Sequence, residues 1–178
     1  MKDEIKNVSG GRATIILGID PGVTRIGVGV VKKNSGKFSL VAAHLLIPEN
    51  IIKKYNNGKK LIKIESALKK LITDKKPDIA VVEKLFFFKN KKTAFPVAYA
   101  RGIIIKTLSQ AGIPYAELTP TGIKLAVTGS GTATKEAVAK MVSATLHEKI
   151  NAIDDATDAL AAAIAAPSLF GGTGGYCR

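Results

Sequence analysis

Four acidic residues stand where carboxylates can do metal chemistry: Asp20, Glu83, Asp155 and Asp158. Asp20 closes the apolar run Thr14–Ile19 and is followed at once by Pro21-Gly22, a turn signal. Glu83 closes a second apolar run, Ile79-Ala80-Val81-Val82. Asp155 and Asp158 lie three residues apart at the head of a helical pattern, so they share one side of it, whereas Asp154 is turned about 100° away from Asp155. Each has an ordinary explanation taken singly: a turn-forming Asp, a solvated strand end, a helix cap placed in a favourable dipole. Taken together they weigh differently. The two apolar runs are of the buried kind that pair within one sheet, which would bring their acidic ends to one edge. Two carboxylates on the same face of a buried helix repel each other unless a cation lies between them.

Oxygen donors without cysteine or paired histidine select a hard cation, magnesium or manganese rather than zinc. The lone cysteine, Cys177, has no partner for a disulfide or a metal cluster, and His44 and His147 have no evident partners and receive no role. The formal charge is +13, from 27 Lys and Arg against 14 Asp and Glu, and such an excess attracts polyanions, nucleic acid first. A carboxylate site on a basic protein suits phosphodiester hydrolysis by two metal ions, one activating water and the other stabilising the leaving oxygen. The polar N-terminus has no signal-peptide core and no apolar run approaches the ~20 residues that span a bilayer, so a cytoplasmic location is expected.

The elements that must position these carboxylates can be read from pattern. Thr14–Ile19, Ile26–Val31 and Phe38–Leu46 form three strands, with Lys32-Lys33-Asn34-Ser35-Gly36 as a hairpin loop, which predicts an antiparallel meander. Helical periodicity begins at about Leu61 and stops at Pro77, and the strand Ile79–Val82 follows. A helix from Thr93 or Val97 to Ala111, a strand Tyr115–Leu118, and helices Thr134–His147 and Ile153–Ala166 complete the pattern. Strands first, then strands interleaved with helices, predict an α/β fold with a mixed sheet and helices on both faces. Residues 1–13 read as a flexible extension, 14–168 as one domain and 169–178 as a flexible Gly-rich tail. Ile103, Ile104 and Ile105 spread over more than one helix face, which calls for a deep helix or a symmetric dimer interface.

Past Glu83 the chain reads Lys84-Leu85-Phe86-Phe87-Phe88-Lys89-Asn90-Lys91-Lys92, an aromatic and basic segment able to stack bases and hold phosphates, or equally a strand end with buried rings. Gly129-Ser130-Gly131-Thr132 could present N–H groups to phosphate ahead of the next helix, or serve as a linker.

The motifs GIDPG at Gly18–Gly22, VEKLFF at Val82–Phe87, ARG at Ala100–Gly102 and DDATDALAAA at Asp154–Ala163 occur in order from about Ile15 to Ala166. Each is weak alone, but the ordered set resembles RuvC, the bacterial Holliday-junction resolvase family within the ribonuclease-H-like superfamily. The resemblance implies a ribonuclease-H-like five-stranded sheet, and a homodimer that nicks two strands of like polarity at a four-way DNA junction. By motif position it implies that Asp20, Glu83, Asp155 and Asp158 are catalytic ligands for Mg2+ (Mn2+ substituting), two ions per site. It places Phe86 as an aromatic that opens or stacks on the junction, and Lys124 and Lys135 near the scissile phosphate. Lys84, Lys89 and Lys91 join them as expected DNA contacts, and the family works beside the RuvA and RuvB branch-migration proteins. The N-terminal extension and Gly-rich ending depart from the family pattern without touching the acidic positions. Competing readings are a YqgF-like RNA-processing nuclease, which shares the first acidic strand end, and a non-catalytic DNA-binding module. A sugar-kinase or actin-like ATPase would need two such domains, and the chain has room for one.

Overall fold

The computed structural model describes residues 13–22, 24–84, 91–150 and 154–167, with side chains 91–94 left aside. Strands β1 (Thr14–Asp20), β2 (Gly27–Asn34), β3 (Lys37–Leu45), β4 (Ile79–Glu83) and β5 (Tyr115–Leu118) form one sheet in the order β3-β2-β1-β4-β5. β1, β2 and β3 pair antiparallel, and β4 and β5 add in parallel with β1. The expected meander followed by parallel strands is therefore present. The β2–β3 connection is shorter than the five-residue loop expected. The strands run on to Asn34 and resume at Lys37, leaving Ser35 and Gly36 with φ of 47° and 82°. Positive φ at both central residues is the tight turn that matches strand twist.

Strand alternation sorts the core into two layers. Leu17, Ile19, Ala80 and Val82 face α2 (Asn57–Lys75) and α3 (Lys91–Gln110), packing with Ile64, Leu68, Ile104 and Leu108. Ile16, Ile79 and Val81 face α4 (Pro120–Thr128), α5 (Lys135–Leu146) and α6 (Asp154–Ala165), packing with Ile123, Val138, Val142 and Leu160. Burying each such Leu or Ile contributes about 1.5–3 kcal/mol, so both helix layers are anchored. A short α1 (Glu49–Ile52) links β3 to α2.

Helix boundaries follow caps more than apolar period. α2 starts at Asn57, ahead of the first apolar repeat, because the Asn56 side chain accepts from the Lys59 N–H. It ends where Lys76 takes a left-handed conformation before Pro77. α4 has no counterpart in the sequence reading. Thr119 caps it by accepting from the Gly122 N–H, Pro120 opens it, and Gly129 at φ 76° closes it. Gly129-Ser130-Gly131-Thr132 is therefore the connection between two helices, with the Ser130 N–H donated to Thr128 Oγ1 rather than presented to a ligand. On α3, Ile104 is buried and Ile103 and Ile105 are half-buried, while Phe95 and Tyr99 are exposed. Of the expected extension, 1–13, only Ala13 is described, and the expected tail, 169–178, lies outside the described residues.

Candidate active site

Ile19 and Val82 are register partners in the parallel pair β1–β4, so Asp20 and Glu83 stand side by side one step further on. Adjacent strands are about 4.8 Å apart, and alternation from Gly18 and Val81 turns both carboxylates to the α4–α6 face. Two acids 63 positions apart thus become neighbours through one register. Both are largely withdrawn from solvent. Asp20 is pushed up to about 7, first by burial and then by the charges of Asp158 and Asp155. Glu83 is pushed up to about 8, first by burial and then by Asp20 and Asp158. The two carboxyls are hydrogen-bonded to each other, and burial with mutual repulsion raises both.

The third acid comes from α6, which lies directly on the sheet. A methyl group on Gly18 of β1 would overlap the carbonyl of Ala159, one on Gly27 of β2 the carbonyl of Asp155, and one on Gly29 the backbone of Leu160. Glycine on the strands, facing Ala156, Ala159 and Ala163 on the helix, lets two backbones approach at a distance no larger residue permits. That contact carries the first turn of α6 to the mouth of the sheet. Asp155 and Asp158 are half-buried there, while Asp154 is exposed, in keeping with its place off that face.

Lys135, the first residue of α5, lies 3.2 Å from Asp158 Oδ2 and is held more firmly protonated by that carboxylate's charge. Its charge also lowers Asp20 and Glu83, opposing their mutual repulsion. Glu83, Asp158 and Lys135 line, with Lys124 of α4, Pro120 and Ile123, a cleft open to solvent. The structure therefore brings together five of the residues singled out from sequence: Asp20, Glu83, Asp158, Lys124 and Lys135. Lys84 is exposed beside Glu83, with its N–H donated to Leu118 O. Phe86 and Lys89 lie outside the described residues, as does the side chain of Lys91 at the head of α3.

Asp155 is engaged elsewhere. Arg25, in the β1–β2 connection, reaches its Oδ2 from Nη2 at 2.6 Å and from Nε at 2.8 Å, and also contacts Glu49 Oε2 at 3.3 Å. Lys53 holds the other Glu49 oxygen at 2.6 Å. Sequence reasoning missed Arg25 and Glu49, since their only signal is a cation five residues past Asp20. It also missed the pair of Arg101 on α3 with Glu117 on β5, on the opposite face of the sheet.

The cluster of Asp20, Glu83 and Asp158, whose three carboxylates face the nearby ammonium of Lys135, matches a hard divalent cation in donor type and in charge. The match is one of chemistry, not of finished geometry. Among the described residues no three acidic, His or Cys side chains form a ready-made ligand cage.

A meander extended by parallel strands, helices on both faces, and carboxylates at the ends of β1 and β4 define a ribonuclease-H-like protein. The sequence matches the family described as crossover junction endodeoxyribonuclease RuvC over residues 16–166. It is 44% identical to the enzyme of that name from Petrotoga mobilis, over 84% of this chain and 90% of the relative. Among solved structures, Thermus thermophilus RuvC aligns with a TM-score of 0.75 at 29% identity, covering 85% of this chain and 92% of that one. The T. thermophilus RuvC described in complex with Holliday junction substrate aligns with a TM-score of 0.82 at 29% identity, covering 92% and 99%. Yeast mitochondrial Ydc2, at 12% identity and a TM-score of 0.61, shares the fold. This chain belongs to the RuvC family of crossover junction endodeoxyribonucleases.

Proposed function

We propose that the protein resolves four-way DNA junctions, cutting two strands of like polarity at symmetric positions as a homodimer. The observation that carries this reading is the pairing of Asp20 with Glu83 opposite Asp158 and Lys135, at the mouth of a cleft that also presents Lys124. Family membership and the junction-bound T. thermophilus relative direct it to a junction rather than to linear duplex.

In this reading Asp20, Glu83, Asp155 and Asp158 hold Mg2+, two ions per site, with Mn2+ as a substitute. The ions supply a more acidic water and a counter-charge for the leaving oxygen. The chain's own residues do the rest. Burial holds the carboxylates in a fixed frame, so little reorganisation accompanies reaction. Lys135 and Lys124 are placed to take phosphate oxygens, and Lys135 is tethered by Asp158 until phosphate arrives. Phe86, Lys84, Lys89 and Lys91 extend the contact to the unpaired bases and backbone at the crossover. The exposed Phe95 and Tyr99, one turn apart on α3, support a second copy of the chain as partner. Cooperation with RuvA and RuvB and a cytoplasmic location belong to the same reading. No helix among the described residues is long and apolar enough to cross a membrane.

The test is a synthetic four-way junction incubated with protein and Mg2+, beside linear duplex and RNA of the same sequence. Paired symmetric nicks confined to the junction, lost in Asp20→Asn while junction binding persists, are the expected result. Equal cutting of linear duplex, or cutting of RNA alone, sinks the reading.

A further inference from the structure

Arg25 sits outside the residues assigned to catalysis, yet it makes the tightest described contact to one of them. Two nitrogens of its planar guanidinium, Nε at 2.8 Å and Nη2 at 2.6 Å, converge on Oδ2 of Asp155. Two charged hydrogen bonds from one rigid guanidinium anchor that oxygen in position, without the two-oxygen grip that would also fix the carboxylate's rotation. Both contacts fall on the same oxygen, which leaves Oδ1 to accept a different cation. The guanidinium is itself held from behind, with Nη1 3.3 Å from Glu49 Oε2 and Glu49 Oε1 2.6 Å from Lys53. The chain Lys53–Glu49–Arg25–Asp155 therefore ties α1 and the β1–β2 connection to the first turn of α6.

We infer that Arg25 is the positioning residue for Asp155, holding it by Oδ2 so that Oδ1 is presented to a divalent cation at the carboxylate site. The inference rests on the reading of Asp155 as a metal ligand. Two observations favour positioning over a bystander ion pair. The Asp155 carbonyl lies close against Gly27, which restrains its backbone and leaves the side chain as the part for Arg25 to hold. The pair is also only partly exposed, at 39% and 23% of the two side chains, where a charged hydrogen bond directs geometry better than on an open surface. Hydrogen-bond partners behind a metal-bound carboxylate are each worth about 10–100-fold in metal affinity.

The experiment is calorimetric titration of the full chain with Mn2+, in wild type, Arg25→Ala, Arg25→Lys and Asp20→Asn, with thermal melting to verify folding. Arg25→Ala is expected to weaken Mn2+ binding by about 10–100-fold. Arg25→Lys, which keeps the charge but offers no planar fork, should fall between Ala and wild type. If Arg25→Ala does not fold, Arg25→Lys carries the test, weaker than wild type by several-fold. Unchanged or tighter binding in the folded Arg25 variants, with Asp20→Asn strongly impaired, overturns the inference and leaves the carboxylate site standing. Mn2+ binding unaffected by Asp20→Asn removes the site reading, and the inference falls with it.

Discussion

The Lys135 ammonium lies 3.2 Å from the Asp158 carboxylate, and it is the cation that most offsets the repulsion among Asp20, Glu83 and Asp158. Its position as first residue of α5 is fixed by the Thr134 cap, whose side chain accepts from the Ala137 N–H. Lys135→Met should reduce single-turnover junction cleavage by about 10²–10³-fold, the usual cost of one preorganised charge-stabilising donor. Junction affinity should fall only modestly, since one phosphate contact among many is lost. Cleavage within threefold of wild type would remove Lys135 from the chemistry.

A pH dependence follows from the raised carboxylates. In the unfolded chain Asp20 and Glu83 release protons near 3.8 and 4.5, whereas in the folded chain they release them near 7 and 8. Between these values the folded state holds protons that the unfolded state has lost, so their contribution to stability falls as pH rises from about 4 to 8 and is level beyond. Asp20→Asn removes the burial cost of that charge and its repulsion on Glu83. In chelator, the variant should melt above wild type, with a difference that grows over this range and amounts to a few kcal/mol on the order expected for such shifts. Saturating Mg2+ should shrink the difference by stabilising wild type selectively. A variant that melts at or below wild type at pH 8 in chelator contradicts the account.

The glycines beneath α6 are the third point of test. Gly27→Ala or Gly29→Ala inserts a methyl into helix backbone, so α6 must lift off the sheet. Stability should fall by about 1–3 kcal/mol or more. Cleavage at a temperature where the variant is still folded should drop by about 10²-fold, because Asp155 and Asp158 are displaced. Gly58→Ala, at an open position in α2, is the control and should be near neutral. Denaturant melts and single-turnover assays read both effects.

The exposed pair Phe95 and Tyr99, at 70% and 56% accessibility, provides the test of the homodimer. Phe95→Glu with Tyr99→Lys should shift sedimentation at micromolar concentration toward monomer without lowering the melting point by more than a few degrees. Unchanged self-association in a folded double variant would place the interface elsewhere.

Much of the site was legible in the sequence because its chemistry is local: Asp20 and Glu83 mark the ends of apolar runs, and Asp155 and Asp158 share a helix face. The architecture was legible for the same reason, period two giving way to period 3.6. What escaped depends on tertiary approach. The role of Gly18, Gly27 and Gly29 is visible only against the backbone of α6, although the spacing Gly27-Val28-Gly29 puts two of them on one strand face. Arg25 meets Asp155 across 130 positions and leaves no pattern. α4 escaped because Thr119-Pro120 reads as a strand exit as readily as a cap, and Lys124 gained a physical context only once that helix was in place.

The alignment of Ile19 with Val82 has a consequence for how the enzyme comes into being. A slip of one residue between β1 and β4 would send Glu83 to the α2–α3 face, and a slip of two would carry it about 6.6 Å from Asp20. The strands concerned are separated by a hairpin and two helices, so their pairing waits on long-range closure of the chain. Until that pairing forms, the acids that the proposed reading assigns to cutting are not brought together. On the proposed reading, completion of the sheet is the step that arms the protein to cut.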